Sequence, residues 1–141
     1  MEDYIVRKAK FEDLEDLSEL LTESFDKTKA ATRYWWRIME NTKIHTYVIE
    51  YKGQIVGSAV LYVLEKLLHS GSYVAQIEDV CISKSHGGKG LGKKLVDGLV
   101  ELSKELGCYK VVLNCSEDLV GFYEKSGFRQ KEVQMRLDIR E

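Results

Sequence analysis

Residues 87 to 94 read Gly87-Gly88-Lys89-Gly90-Leu91-Gly92-Lys93-Lys94, four glycines in six positions followed by cations. Glycine lets a backbone turn successive N–H groups toward one point, and a helix that starts there adds the positive end of its dipole. Together they make a cradle for phosphate. Two familiar phosphate loops nearly fit and fail. A P-loop needs G-x-x-x-x-G-K-[ST]; Gly87, Gly92 and Lys93 match, but Lys94 stands where the magnesium-binding hydroxyl belongs. A dinucleotide fingerprint needs glycines at i, i+2 and i+5, and no register supplies all three. A bare strand-to-helix connection would not need so many glycines, because each costs chain entropy on folding.

Upstream stand two adjacent carboxylates, Glu78 and Asp79, between apolar Ile77 and Val80. In a regular strand neighbours point to opposite faces, unless a bulge turns both the same way. The three cysteines, Cys81, Cys108 and Cys115, form no CxxC pair, and no histidine is placed to activate them. They read as small core residues in a reducing compartment, and no metal is expected.

The elements that position these groups follow from hydrophobic period, because proline is absent and glycine supplies the breaks. Residues 4–9 predict a first strand. Phe11, Leu14, Leu17, Leu20 and Leu21 mark one face of a helix to Phe25, with acidic residues in its first turn. Residues 30–39 predict a second helix, whose Tyr34, Trp35 and Trp36 pack or wall a pocket. Strands at 45–51 and 54–64 flank a Lys52-Gly53 turn, and a break at 69–72 leads into a strand at 73–83. Leu91, Leu95, Leu99, Leu102 and Leu106 recur at helical spacing up to Gly107, a C-cap glycine. A buried strand at 109–115 and a short helix at 117–125 come next. Alternation of Val133, Met135, Leu137 and Ile139 with Gln134, Arg136, Asp138 and Arg140 predicts a last strand that needs a partner. The order β-α-α-β-β-β-α-β-α-β is an α/β fold of mixed sheet and helices.

With 141 residues, one domain over 1–141 is expected at about 150 residues per domain. A net charge of −2 argues against tight nucleic-acid binding. The longest apolar runs fall far short of the roughly 20 residues that span a bilayer. The start of the chain carries no secretion signal, so a cytoplasmic protein is expected.

Segment 87–92 resembles the pyrophosphate loop of the GNAT superfamily of acyl-CoA-dependent N-acetyltransferases, [QR]-x-x-G-x-[GA]. Gly90 and Gly92 match its small positions, and Gly87 replaces the usual Gln or Arg. Further elements are similar to one branch, the glucosamine-6-phosphate N-acetyltransferases: Ile77-Glu78-Asp79-Val80, Gly107-Cys108-Tyr109-Lys110, Phe122-Tyr123-Glu124-Lys125-Ser126-Gly127-Phe128, and Glu65-Lys66-Leu67-Leu68-His69. The likeness covers about residues 55–139, while the first 40 align only in general character.

The resemblance implies the GNAT fold: a mixed, mostly antiparallel twisted sheet with helices on both faces and splayed central strands. It implies acetyl-CoA as co-substrate and a phosphorylated amino sugar as acceptor, in amino-sugar synthesis. Strands around 80–82 and 110–115 would diverge so that the pantetheine arm lies against unpaired backbone. Amides of Val80, Cys81 and Ile82 would hold the thioester carbonyl, and Gly87, Gly88, Lys89, Gly90, Leu91, Gly92 and Lys93 the diphosphate. Phe122 and Lys125 would line the same cofactor path, and Tyr123 would give a proton or hydrogen bond to sulfur. Glu78 would bind the acceptor, or act as base through water, with Asp79 as its support. Asn114 stands where the branch commonly has a carboxylate; an amide can orient an amine but cannot take its proton. Either Glu78 and water take over, or the amine arrives neutral. Lys66, Leu67, Leu68, His69 and Arg136 would meet the sugar phosphate. A homodimer sharing active sites through the terminal strand is implied as well. The rivals are a GNAT enzyme of another amine or protein N-terminus, and an acyl-CoA-binding module without turnover.

Overall fold

Val48 and Ile49 are neighbours, both fully buried, yet they face different cores, because strands of this sheet are covered on both sides. The computed structural model describes residues 3–25 and 32–140. Its sheet has five strands in sequential order: β1 (Tyr4–Lys8), β2 (Ile44–Tyr51), β3 (Gln54–Glu65), β4 (Tyr73–Ile82) and β5 (Cys108–Val112). The first four are antiparallel, and β5 runs parallel to β4. Helices α1 (Leu14–Phe25) and α2 (Trp35–Glu40) cover one face, and α3 (Leu91–Glu105) crosses the other. The short helix α4 (Val120–Glu124) joins the α3 side. The sheet is mixed and mostly antiparallel with helices on both faces, as expected.

Each core follows from the sequence period. On the α3 side, Leu91, Leu95 and Leu99 pack with Ile49, Leu61 and Ile77. On the α1 side, Leu17 and Leu20 meet Val48, Ile55 and Cys81. Trp35 lies in this second core and its indole N–H donates to the Phe11 carbonyl at 3.0 Å, whereas Trp36 is exposed. The expected helix over 30–39 shows a 3₁₀ turn at Thr32–Tyr34 before α2; residues 30 and 31 lie outside the described part. Among the described residues, no helix is long and apolar enough to cross a membrane.

Turn chemistry also behaves as the residues dictate. Lys52 and Gly53 both take positive φ, as the tight β2–β3 hairpin requires. Gly107, at φ +81°, closes α3. At the other end of α3, Gly92 is glycine for a steric reason: a Cβ there would stand 2.9 Å from Cζ of Phe122, on α4.

Two expectations need correction. The strand expected over 109–115 starts one residue earlier and ends at Val112, leaving Leu113–Ser116 irregular. The expected terminal strand is not a strand in this chain: its apolar face is bare, with Val133, Met135, Leu137 and Ile139 at 83–88% exposure. Alternation in sequence fixes which side chains share a face, but a strand also needs an edge to pair with, and residues 133–139 lie along none of the described strands.

The Gly92–Phe122 contact gives a stability test. Gly92→Ala overfills the contact and destabilises by about 1–3 kcal/mol. Trimming the ring relieves it, so denaturant unfolding of Gly92→Ala, Phe122→Leu and the double variant should show the pair better than additive, by about 0.5 kcal/mol or more. Strict additivity contradicts the packing described.

Candidate active site

The β4–β5 pairing runs only from Tyr73/Cys108 to Gln76/Val112. Beyond it β4 continues to Ile82 while β5 stops, so among the described residues one edge of Ile77–Ile82 has no strand partner. Central strands therefore splay, but the divergence starts after Val112 rather than at Lys110, since Lys110–Val112 are still paired. Backbone groups on that open edge require a hydrogen-bonding partner, which an extended ligand can supply.

Just past the fork the register slips by one residue: Glu78 opposes Val60, and Cys81 opposes Ser58. Asp79 carries the irregularity with φ +55°, a left-handed conformation that Asp tolerates better than most residues. The side-chain parity confirms the slip. Ile77 belongs to the α3-side core and Cys81 to the α1-side core, although four residues of regular strand would put them on one face.

This bulge turns both carboxylates toward one open cavity of about 350 Å³, lined by Tyr62, Leu64, Gln76, Glu78 and Asp79. Strand alternation explains the set: Tyr62 and Leu64 share a face of β3, and Gln76 and Glu78 share a face of β4, with Tyr62 opposite Gln76. The Gln76 amide donates to Glu78 Oε2 at 2.6 Å. Asp79 stays open to solvent on one side, yet the cavity wall and then the Glu78 charge hold its pKa above the ordinary carboxylate value. Desolvation, then Asp79 and Glu78, raise the Tyr62 phenol, which stays protonated. Tyr62, Leu64 and Gln76 escaped the sequence reading; counting back by two from Glu78 would have found Gln76.

The glycine loop lies at the far end of the open β4 edge. Ser83 N–H donates to Val56 O, and a 3₁₀ turn at Lys84–His86 follows. Gly88 and Gly90 take φ of +73° and +74°, with open space where a Cβ would go. Their glycine is thus demanded by backbone conformation, not by crowding. Gly90 is the N-cap of α3, and no side chain caps its first turn. The N–H groups there are free to meet an anion. The loop is anchored by His86, whose Nδ1 is 2.8 Å from the Tyr4 hydroxyl, with Tyr4 stacked on Tyr51 at 4.3 Å. That anchor was not foreseen, because it joins residues 82 positions apart. Lys93 pairs with Asp97 at 2.7 Å, and Lys94 donates to the Tyr4 carbonyl at 3.1 Å.

Tyr123 is 8% exposed, its ring edge-on to Phe122 and Phe128. Burial, and then the neighbouring Cys115 thiol, raise its pKa, so its proton is in place at neutral pH. Asn114 and Cys115 are exposed in the segment after β5. Lys125 caps the end of α4.

The remaining expected residues do not line the cavity. Lys66 and Leu67 lead into a left-handed turn in which His69, Ser70 and Gly71 all have positive φ, and Leu67 is 97% exposed. The His69 ring leans on Tyr109 at 4.4 Å. Arg136 sits on the exposed terminal segment, paired with Asp138 at 2.8 Å. Among the described residues, no three His, Cys, Asp or Glu side chains group as a metal site.

Comparisons with known proteins agree with this geometry. The Acetyltransferase (GNAT) family model matches residues 11–128. A glucosamine 6-phosphate N-acetyltransferase of Trypanosoma brucei brucei is 52% identical over 87 residues, 62% of this chain and 59% of that protein. A Candida albicans protein of the same name is 45% identical over 92 residues, 64% of this chain and 62% of its own length. The match thus spans about 60% of the length of these curated relatives. Among solved structures, a Trypanosoma brucei acetyltransferase has a TM-score of 0.88 at 39% identity, covering 97% of this chain and 100% of that one. The glucosamine-6-phosphate N-acetyltransferase of Arabidopsis thaliana also gives 0.88, at 31% identity, covering 97% and 99%. Divergent central strands, an uncapped glycine loop and a family match over most of its length agree: this chain belongs to the GNAT family of acetyltransferases.

Proposed function

We propose that this chain transfers the acetyl group of acetyl-CoA to the amine of D-glucosamine 6-phosphate, giving N-acetylglucosamine 6-phosphate and CoA by direct transfer in a ternary complex. One observation carries the reading: the open β4 edge runs from a glycine loop suited to diphosphate to a cavity where two carboxylates await a cationic or polar acceptor. The names of the Trypanosoma and Candida relatives support the choice of acceptor.

The residues present fit acetyl-CoA. Amides of Gly88 to Gly92 and the dipole of α3 suit its diphosphate, and Lys89 adds a charge nearby. Gly87 supplies backbone where a longer side chain is usual. The free edge of Val80–Ile82 can take the pantetheine as an added strand and aim N–H groups at the thioester oxygen, where negative charge develops. When bound, the co-substrate supplies an activated acyl carbon and a thiolate leaving group. Tyr123 then gives its proton, or a hydrogen bond, to that sulfur; burial keeps the phenol protonated until the sulfur needs it. Asn114 orients the amine, and the carboxylate pair takes its proton. Phe122 holds the first turn of α3 in place and Lys125 faces the cofactor path.

The acceptor phosphate calls for cations, and among the described residues the cavity wall itself does not provide them. Lys66 and His69, with the turn of Leu67 and Leu68, form one side of the phosphate subsite. Arg136 reaches it from a second copy, as a homodimer exchanges its terminal strands and covers the bare face of residues 133–139. Residues 1–141 then act as one catalytic domain of a cytoplasmic enzyme supplying UDP-N-acetylglucosamine synthesis.

Thiol release assayed over a panel of amines tests the reading. Turnover with glucosamine 6-phosphate is expected, and none with any amine despite acetyl-CoA binding would leave an acyl-CoA-binding module. Tyr123→Phe should lower kcat about 100-fold with the KM for acetyl-CoA little changed; unchanged kcat removes Tyr123 from proton delivery. Arg136→Ala should raise the KM for glucosamine 6-phosphate, about tenfold, but not that for glucosamine. Equal effects on both acceptors contradict a phosphate contact.

A further inference from the structure

Gln76 stands at the apex of the fork: it is the last β4 residue paired with β5, and its side chain enters the cavity beside Glu78. An ionised carboxylate only accepts hydrogen bonds, so the Gln76 –NH2 group is the one that faces Glu78 Oε2 at 2.6 Å. That bond fixes the direction of the Glu78 carboxylate. Asp79 is placed differently. The left-handed bulge aims it into the same cavity, where, among the described residues, desolvation and the Glu78 charge act on it with no hydrogen bond offsetting them. Among the described residues, the charged or titratable groups coupled to Asp79 are Glu78 and Cys81 on its own strand and Tyr62 on β3; none of these is a cation.

We infer that Asp79, and not Glu78, receives the acceptor's proton, with Gln76 the positioning residue that holds the Glu78 carboxylate and confines it to binding. The inference rests on the acetyl-transfer reading; it keeps Glu78 as acceptor-binding, one of the two roles expected for it, and gives the base role to Asp79, expected only as its support. The step balances. The neutral amine nitrogen bonds to the acetyl carbon and becomes positive, and one of its protons passes to an Asp79 oxygen. The carbon–sulfur bond breaks with its electron pair on sulfur, which takes the Tyr123 proton. Solvent then carries the proton from Asp79 back to the Tyr123 oxygen, and amide and thiol leave. Of two adjacent carboxylates facing one cavity, Glu78 has an oxygen engaged by the Gln76 donor, while the bulge presents Asp79 with its oxygens open to the amine's proton.

The test is kcat and KM against pH for the full chain, three single variants and one double variant, with acetyl-CoA and glucosamine 6-phosphate. Asp79→Asn, which keeps a residue tolerant of positive φ, should lower kcat about 100-fold or more and abolish the acid limb. Glu78→Gln should mainly raise the amine KM, and move the acid limb to lower pH because a negative neighbour of Asp79 is gone. Gln76→Met, similar in size but without a donor, should raise the amine KM and leave the KM for acetyl-CoA unchanged, and combining it with Glu78→Gln should raise the amine KM little further, because Gln76 acts through Glu78. Losses that add in full are what a purely packing role for Gln76 gives, and they overturn its part. Loss of turnover in Glu78→Gln with a near-normal Asp79→Asn overturns the assignment while the acetyl-transfer reading stands. Wild-type chain that acetylates only another amine of the panel fails the sugar reading alone, and the same comparison on that amine decides Asp79 against Glu78. Wild-type chain that acetylates no amine fails both.

Discussion

Parting of β4 from β5 is the constraint on which the other features depend. Parallel pairing stops at Gln76/Val112, and β4 runs on for six residues with one edge bare. A row of unpaired amides and carbonyls in the middle of a sheet is unfavourable unless something else bonds to it. An extended amide-bearing ligand meets that need in the manner of an added strand. The glycine loop is where such a ligand would be gripped, because β4 delivers the chain directly into it and α3 leaves from it with an uncapped first turn.

Two-sided burial keeps this opening from collapsing. The sheet is locked between the α3 core and the α1 core, so strands diverge without losing their packing. Arg7 on β1 adds a polar tie: it donates to both oxygens of Asp13, and its Nε to Glu50 on β2, each at 2.8–2.9 Å. Those hydrogen bonds hold the Asp13 carboxyl below the usual carboxylate range. A rigid frame of this kind lets a single bulge at Asp79 decide what the cavity presents. Without the extra residue, Glu78 and Asp79 would point to opposite faces and only one could meet a ligand.

What could be read from the sequence was local. Helical spacing of Leu91, Leu95 and Leu99 and the left-handed glycines of the loop are short-range facts, and they told of α3 and its anion cradle directly. The direction of Asp79 was left open, because a bulge arises from register with β3, which no neighbouring residue reveals. Tyr62 and Gln76 were missed for the same reason: they reach the cavity by cross-strand pairing. The His86–Tyr4 anchor spans nearly the whole sheet. Alternation over 133–139 was real as a pattern, yet a pattern says which faces match and not which edge, or whose, receives them.

Calorimetric titration with coenzyme A and with pantetheine tests the central claim most directly, because pantetheine keeps the strand-like arm and lacks the diphosphate. Saturable heat with coenzyme A, and far weaker heat with pantetheine, is the result expected if main-chain amides of the glycine loop grip the diphosphate while the open edge of β4 takes the arm. No heat with coenzyme A or its acetyl thioester would contradict the account at its root.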